Sequence, residues 1–231
     1  MRDPVADLLA FIDRSPTPYH AVAESERRLA EVGFERLEET DVWDVSPGSR
    51  HTITRNEGSL IAFEVGSGAP SEAGFRVVGA HTDSPNLRVK PTPETNAFGY
   101  RQLAVEPYGG VLLHTWLDRD LSLAGRVCIE DGDTLRTLLP DFEPPLLRIP
   151  SLAIHLDREA AKKGLRLNPQ QHMVPIFGLE DGPPLRDLVA GELRERDLAD
   201  VTGAEVHGFD LMTYDTQPSC VSGIRGEFVH A

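Results

Sequence analysis

A chain of 231 residues with 40% hydrophobic and 26% charged residues is long enough to bury the core of one large or two modest domains. Its formal net charge of -14 argues against nucleic acid and anionic membrane surfaces as partners, because both repel such a surface. Cys128 and Cys220 are too few for a disulfide scaffold, no apolar run approaches the roughly 18 residues that span a bilayer, and Asp3, Asp7 and Asp13 stand where a signal peptide would be apolar; a cytoplasmic protein is expected.

The chain opens with two helix patterns. Asp3 is placed as an N-cap with Pro4 behind it, and Val5, Leu8, Leu9 and Ile12 follow at helical spacing to an end near Ser15. Thr17 and Pro18 start a second helix that stops at Gly33; His20 lies in its first turn without an acidic partner at ligand spacing. Strand patterns then take over. Residues 50–55 and 60–65 flank Asn56-Glu57-Gly58 as a hairpin, and Gly66 to Gly74 reads as a solvent loop.

Phe75 to Ala80 is a short Val-containing apolar run expected to form a buried strand, and it meets His81, Thr82 and Asp83. A histidine at a strand end with a carboxylate two residues on has the makings of a metal ligand with its orienting partner in place. Helices covering a sheet suggest an α/β sandwich, in which ligands gather at the carboxyl ends of strands.

After Pro91 the character changes. A polar, turn-rich stretch, Thr92 to Gly99, precedes strand-like runs at 101–105, 111–116, 121–129 and 135–139, separated by Gly, Asp and Pro. This spacing predicts a compact, mostly antiparallel β domain inserted in the α/β part. Asp157 is placed to cap a short helix ending at Lys163, Pro184 to Asp200 reads as a longer helix, and Gly208 to Tyr214 as a last strand. His155 follows Pro150 in what reads as an apolar strand. His114 with Asp118 and Asp120, and His172 or His207 alone, lack a metal-binding pattern such as HExxH.

HTDSPNLRVKP from His81 resembles, almost residue for residue, the first metal motif of the M18 zinc aminopeptidases, the aspartyl aminopeptidases. Further strings match in the family's order: LLAFIDRSPTPYHAV from Leu8, YGGVLLHTWLDRDLSLAGRV from Tyr108, LRIPSLAIHLDR from Leu147, LNPQQHMVPI from Leu167 and YDTQP from Tyr214. The resemblance implies the N-terminal part of a metallopeptidase α/β sandwich with an inserted β-rich dimerisation domain. Residues 1–89 would begin the catalytic domain, 90–215 form the insertion, and 216–231 return toward the rest of the catalytic domain.

The resemblance further implies release of N-terminal residues, acidic ones, from peptides by a site holding two zinc ions, with Mn or Co as alternatives, in a dimer-based closed homo-oligomer. His81 would be the metal ligand, Asp83 its orienting carboxylate, and His155 a catalytic residue reaching into the paired subunit's site. The family's other ligands, a bridging Asp in an RLDN-like string, an adjacent Glu pair, a further acid and a late His, find no counterpart up to Ala231. The expectation is a truncated N-terminal half, inactive alone; the competing reading is a non-catalytic assembly module that pairs with full-length subunits or a separate C-terminal half.

Overall fold

The computed structural model describes residues 3–179 and 181–231. The chain divides into two compact units: residues as far as Ser84 together with Ser219–Ala231, and Pro85–Pro218.

In the first unit, α1 (Pro4–Asp13) starts where Asp3 accepts a hydrogen bond from the Val5 amide at 3.0 Å, and α2 (Pro18–Ala30) starts at Thr17 in the same manner. Pro at the first helical position costs neither helix a hydrogen bond, since that amide has no partner in any case. The chain leaves α2 through Gly33, whose φ of 87° suits a residue without a Cβ. Tyr19, Ala21 and Val22 are the buried side of α2.

Beside them Glu24, 6% exposed, takes Nε and a second nitrogen of Arg27 and Nε of Arg28, with Arg14 at 3.7 Å. The Arg27 guanidinium first, and then Arg28, hold its carboxyl well below the ordinary 4.5, at about 2. A carboxylate depressed in the folded state stabilises it fully above the unfolded value and ceases to do so as pH falls through the folded one.

The strands of this unit are β1 (Glu35–Arg36), β2 (Arg50–Arg55) and β3 (Ser59–Glu64), in that spatial order, with β1 parallel to β2 and β2 antiparallel to β3. The hairpin turns at Asn56 and Glu57, both left-handed at φ 50° and 51°, as a primed turn requires. A four-residue helix, α3 (Pro70–Ala73), interrupts the loop that follows. The tail adds a small antiparallel hairpin, Cys220–Ser222 with Phe228–His230, which the sequence pattern does not announce.

Phe75 to Ala80 departs from expectation. It belongs to no ladder, and Phe75, Val77 and Val78 are 83%, 85% and 99% exposed. An apolar run specifies a buried strand only when neighbours supply hydrogen bonds at its edges and cover its faces; among the described residues none pairs with it.

The second unit is built on a six-stranded antiparallel sheet: β4 (Asn86–Ala97), β5 (Tyr100–Tyr108), β6 (Leu121–Asp131), β7 (Thr134–Leu138), β8 (Ile176–Leu179) and β9 (Val206–Asp215), arranged β7-β6-β9-β4-β5-β8. One face buries Leu87 and Val89, Leu103 and Val105, Leu121, Leu123, Val127 and Ile129, and Leu211. Against this cluster pack Leu185, Val189, Ala190 and Leu193 of α5 (Leu185–Glu195), with Phe142, Ile149 and Met173 from loops. A shorter helix, α4 (Arg158–Lys163), is capped by the Asp157 carboxylate on the Ala160 amide at 3.2 Å, as its sequence predicts.

Two segments correct the reading of this region. Thr92 to Ala97 is strand rather than turn: its pairing with β5 stops at Val89 and resumes at Glu94, so Pro91 and Pro93 sit in the irregular stretch where no amide is asked for. Residues 111–116 form no strand; Leu113–Trp116 is a 3-10 turn whose Leu113 and Trp116 pack on the core. Ile176–Leu179, edge partner of β5, was hidden in a Pro-flanked run. No described helix is long and apolar enough to cross a membrane.

Replacing Gly125 by Ala should prevent correct closure of the sheet, since a Cβ there would lie 2.2 Å from the Asp210 carbonyl oxygen and 2.8 Å from Leu211 Cα. A loss of roughly 3 kcal/mol or more, read as a fallen denaturation midpoint or insoluble product, is expected. Glu24→Gln should cost on the order of 1 kcal/mol near neutral pH, solvent at half-exposed Arg27 taking most of the full linkage value, and the gap to the parent should narrow as unfolding is measured from about pH 5 downward.

Candidate functional site

His81 follows the unpaired apolar segment, on an exposed loop. Its Nδ1 lies 2.7 Å from the backbone carbonyl oxygen of Asp83 and 3.4 Å from that residue's carboxylate Oδ1. Both oxygens only accept, so Nδ1 is the nitrogen that carries the proton, and the neutral ring keeps its lone pair on Nε2. The side chain is 82% exposed, so the ring that bears this lone pair stands in solvent. An imidazole whose second nitrogen is tied to a backbone or carboxylate oxygen is the usual form of a metal-binding histidine. His81 therefore fits zinc as one donor.

The number of donors limits the site. Tight zinc binding takes three or four protein ligands. Among the described residues, no group of three or more His, Cys, Asp or Glu side chains is placed to hold a metal ion. His20 is engaged inside the first unit, its Nδ1 2.7 Å from Thr17 Oγ1, and His207 is 2.9 Å from Glu130.

His155, in the second unit, sits on an exposed turn, not in a strand. The amides of Leu156 and Asp157 both bond the Ala153 carbonyl, closing the turn; among the described residues no strand faces the apolar residues 152, 154 and 156, which are 66%, 61% and 68% exposed. Immediately before it, Ser151 gives its amide (3.1 Å) and its hydroxyl to the Asp118 carboxylate. These donations, hydroxyl first, hold the Asp118 carboxyl below the usual range. Asp157, capping α4, closes the other side. The histidine is thus carried on a short projection fixed at both ends.

Asp118, Arg119 and Asp120 act as a clasp. Arg119 pairs with Asp215, Asp120 pairs with Arg148 at 2.6 Å, and the Asp120 carbonyl accepts from the amide and hydroxyl of Thr216. The strings around Trp116, Ile149 and Tyr214, far apart in sequence, meet here, and their carboxylates are spent on guanidinium and hydroxyl donors. Tyr214 gives its hydroxyl to Asp141 at 2.5 Å, and burial pushes that phenol upward. The sequence does not single out Ser151 or Asp118's left-handed backbone at φ 58°, since Asp adopts that conformation without a glycine-like signature.

The profile of the family described as Aminopeptidase I zinc metalloprotease (M18) matches residues 11–231. This chain belongs to the M18 family. The probable M18 family aminopeptidase 2 of Streptomyces coelicolor is 48% identical over 223 residues, covering 96% of this chain and 50% of that protein. Among solved structures, one of the Ape4 and Nbr1 complex matches with a TM-score of 0.93 at 38% identity, over 97% of this chain and 46% of that one. The S. cerevisiae mApe1 dodecamer matches with a TM-score of 0.80 at 28% identity, over 98% of this chain and 51% of that one. The chain spans about half the length of the M18 relatives it matches. The family is one of zinc metalloproteases, and the mixed helix and sheet composition of this chain is the α/β architecture of its M18 neighbours.

Asp118→Ala should free the His155 projection: amide exchange at Ser151 and through 152–157 is expected to rise by about tenfold or less, with the core strands of the second unit unchanged. Hydrogen exchange followed residue by residue measures this directly.

Proposed function

We propose that this chain forms part of an M18 zinc aminopeptidase that releases N-terminal acidic residues from peptides. The observation that carries the reading is the His81 ring, held by the Asp83 carbonyl with Nε2 left to bind metal. His81 is a zinc ligand, Asp83 orients it, and His155 completes the site of a paired subunit from its exposed turn. Zinc, when bound, activates water and polarises the scissile carbonyl. The complete site takes two ions, with Mn or Co as substitutes, and the residues from about 90 to 215 pair subunits in a homo-oligomer. The relation to a dodecameric M18 assembly supports that last point, and the acidic preference rests on the resemblance of the His81 motif to the aspartyl aminopeptidases. We place the protein in the cytoplasm on its cysteine usage and charge.

The 231-residue chain by itself does not hold catalytic zinc, because its described residues gather too few donors. That same shortage, beside a second unit with a full core of its own, favours one other reading: an assembly module that pairs with full-length subunits. Co-oligomers with an intact M18 aminopeptidase are its outcome, and a monomeric elution profile in that mixture counts against it.

Calorimetry with elemental analysis on the purified chain should find zinc bound only weakly, with a Kd on the order of millimolar, and weaker again in His81→Ala. The chain should release no Asp from an Asp-anilide. Two tightly held ions, or zinc-dependent turnover abolished by His81→Ala, would overturn the claim of inactivity; zinc binding indifferent to His81→Ala would remove His81 from the ligand set.

A further inference from the structure

Thr82 lies between the proposed ligand and its orienting residue, and its side chain turns the other way. Its Oγ1 donates to the carbonyl oxygen of Gly58 at 2.9 Å. Gly58 closes the β2–β3 turn, where Asn56 and Glu57 already stand in left-handed backbone, a conformation that costs an L-residue free energy and persists only where surroundings hold it. The turn is backed by α2: a Cβ on Gly58 would touch the Tyr19 ring at 3.4 Å, and Tyr19 is 6% exposed. A line of contacts thus runs from the buried first turn of α2, through the hairpin turn, to the peptide that carries His81.

The segment needs such an anchor. From Phe75 to Pro85 it belongs to no ladder, and His81, most of its side chain in water, cannot be held by packing. The His81 Nδ1 bond to Asp83 O spans two residues and closes a small loop around Thr82. Free rotation of the Thr82 peptide units would open it. Threonine suits the post because its β-branch restricts χ1, so the hydroxyl is aimed before the bond forms.

We propose that Thr82 is a positioning residue that, through its hydroxyl bond to Gly58, holds His81 with the proton on Nδ1 and the lone pair on Nε2. Its significance for metal binding rests on His81 being a ligand, but the geometry it enforces is present in the metal-free chain and is tested there.

The test is nitrogen-15 NMR of the histidine rings in the 231-residue chain at about pH 8, where unperturbed imidazoles are neutral. The His81 signal among the eight histidines is assigned by its loss in His81→Ala. The parent should show His81 protonated on Nδ1. Thr82→Val keeps the shape and removes the donor, and should cut that population about fivefold, the worth of one ordinary hydrogen bond. Thr82→Ser should restore most of it. A Val variant with the parent's His81 signature overturns the proposal, as does a folded Ser variant that behaves like Val. Should Val disturb the β2–β3 amide signals, the parent alone decides: a slowly exchanging Thr82 hydroxyl proton close to Gly58 is expected, and its absence removes the anchor. None of these readouts involves zinc, so they stand or fall apart from the ligand assignment.

Discussion

Gly125 marks the place where β6 and β9 approach so closely that even one methyl group has no room, with the Asp210 carbonyl 2.2 Å from where a Cβ would stand. That approach fixes the register from Leu121 opposite Asp215 to Cys128 opposite Gly208. A slip of one residue would turn Leu121, Leu123, Val127 and Ile129 away from α5 and leave the core without its floor. The same register brings Asp215 beside Arg119 and Thr216 to Asp120, so the clasp that steadies the His155 turn depends on the β6–β9 pairing.

The two histidines are presented by different physical means. His155 rides on a turn fixed by carboxylate bonds at Asp118 and Asp157, within a unit that has its own core. His81 has no core beneath it: its Nδ1 faces the carbonyl and carboxylate oxygens of Asp83, on a segment whose apolar side chains are in water. Hydrogen bonding rather than packing holds the backbone turn under His155 and the ring of His81.

The residues that could be read directly from the sequence are those whose role is local. Asp3, Thr17 and Asp157 cap helices because a short acceptor before a helix has little else to do. Asn56-Glu57-Gly58 was legible as a hairpin turn between two strand patterns, although the left-handed backbone at Glu57 is not announced by its residue type. What escaped is what depends on a distant partner. Phe75–Ala80 has the composition of a strand, yet composition cannot supply a neighbour. Thr92 to Gly99 read as turn-rich, because the place of Pro91 and Pro93 in β4 relies on a register shift against β5. The string from His81 to Pro91 was legible as a family motif, and Asp118-Arg119-Asp120 as ion-pairing rather than metal-binding residues, whereas their partners Ser151, Arg148, Asp215 and Thr216 were not, since they reach the clasp from far along the chain.

The place of β9 in the sheet has a kinetic side. It is the last strand of its unit, yet it lies in the middle, between β6 and β4. Until residues 206–215 have left the ribosome, those two strands each present an open edge, and the pairing that joins them must close a loop of many tens of residues. High contact order slows such a step, and open strand edges invite pairing between chains while it is pending. Synthesis of this unit is therefore the period in which the protein most needs dilution or a chaperone, and strong overexpression at high temperature is where its yield should suffer first.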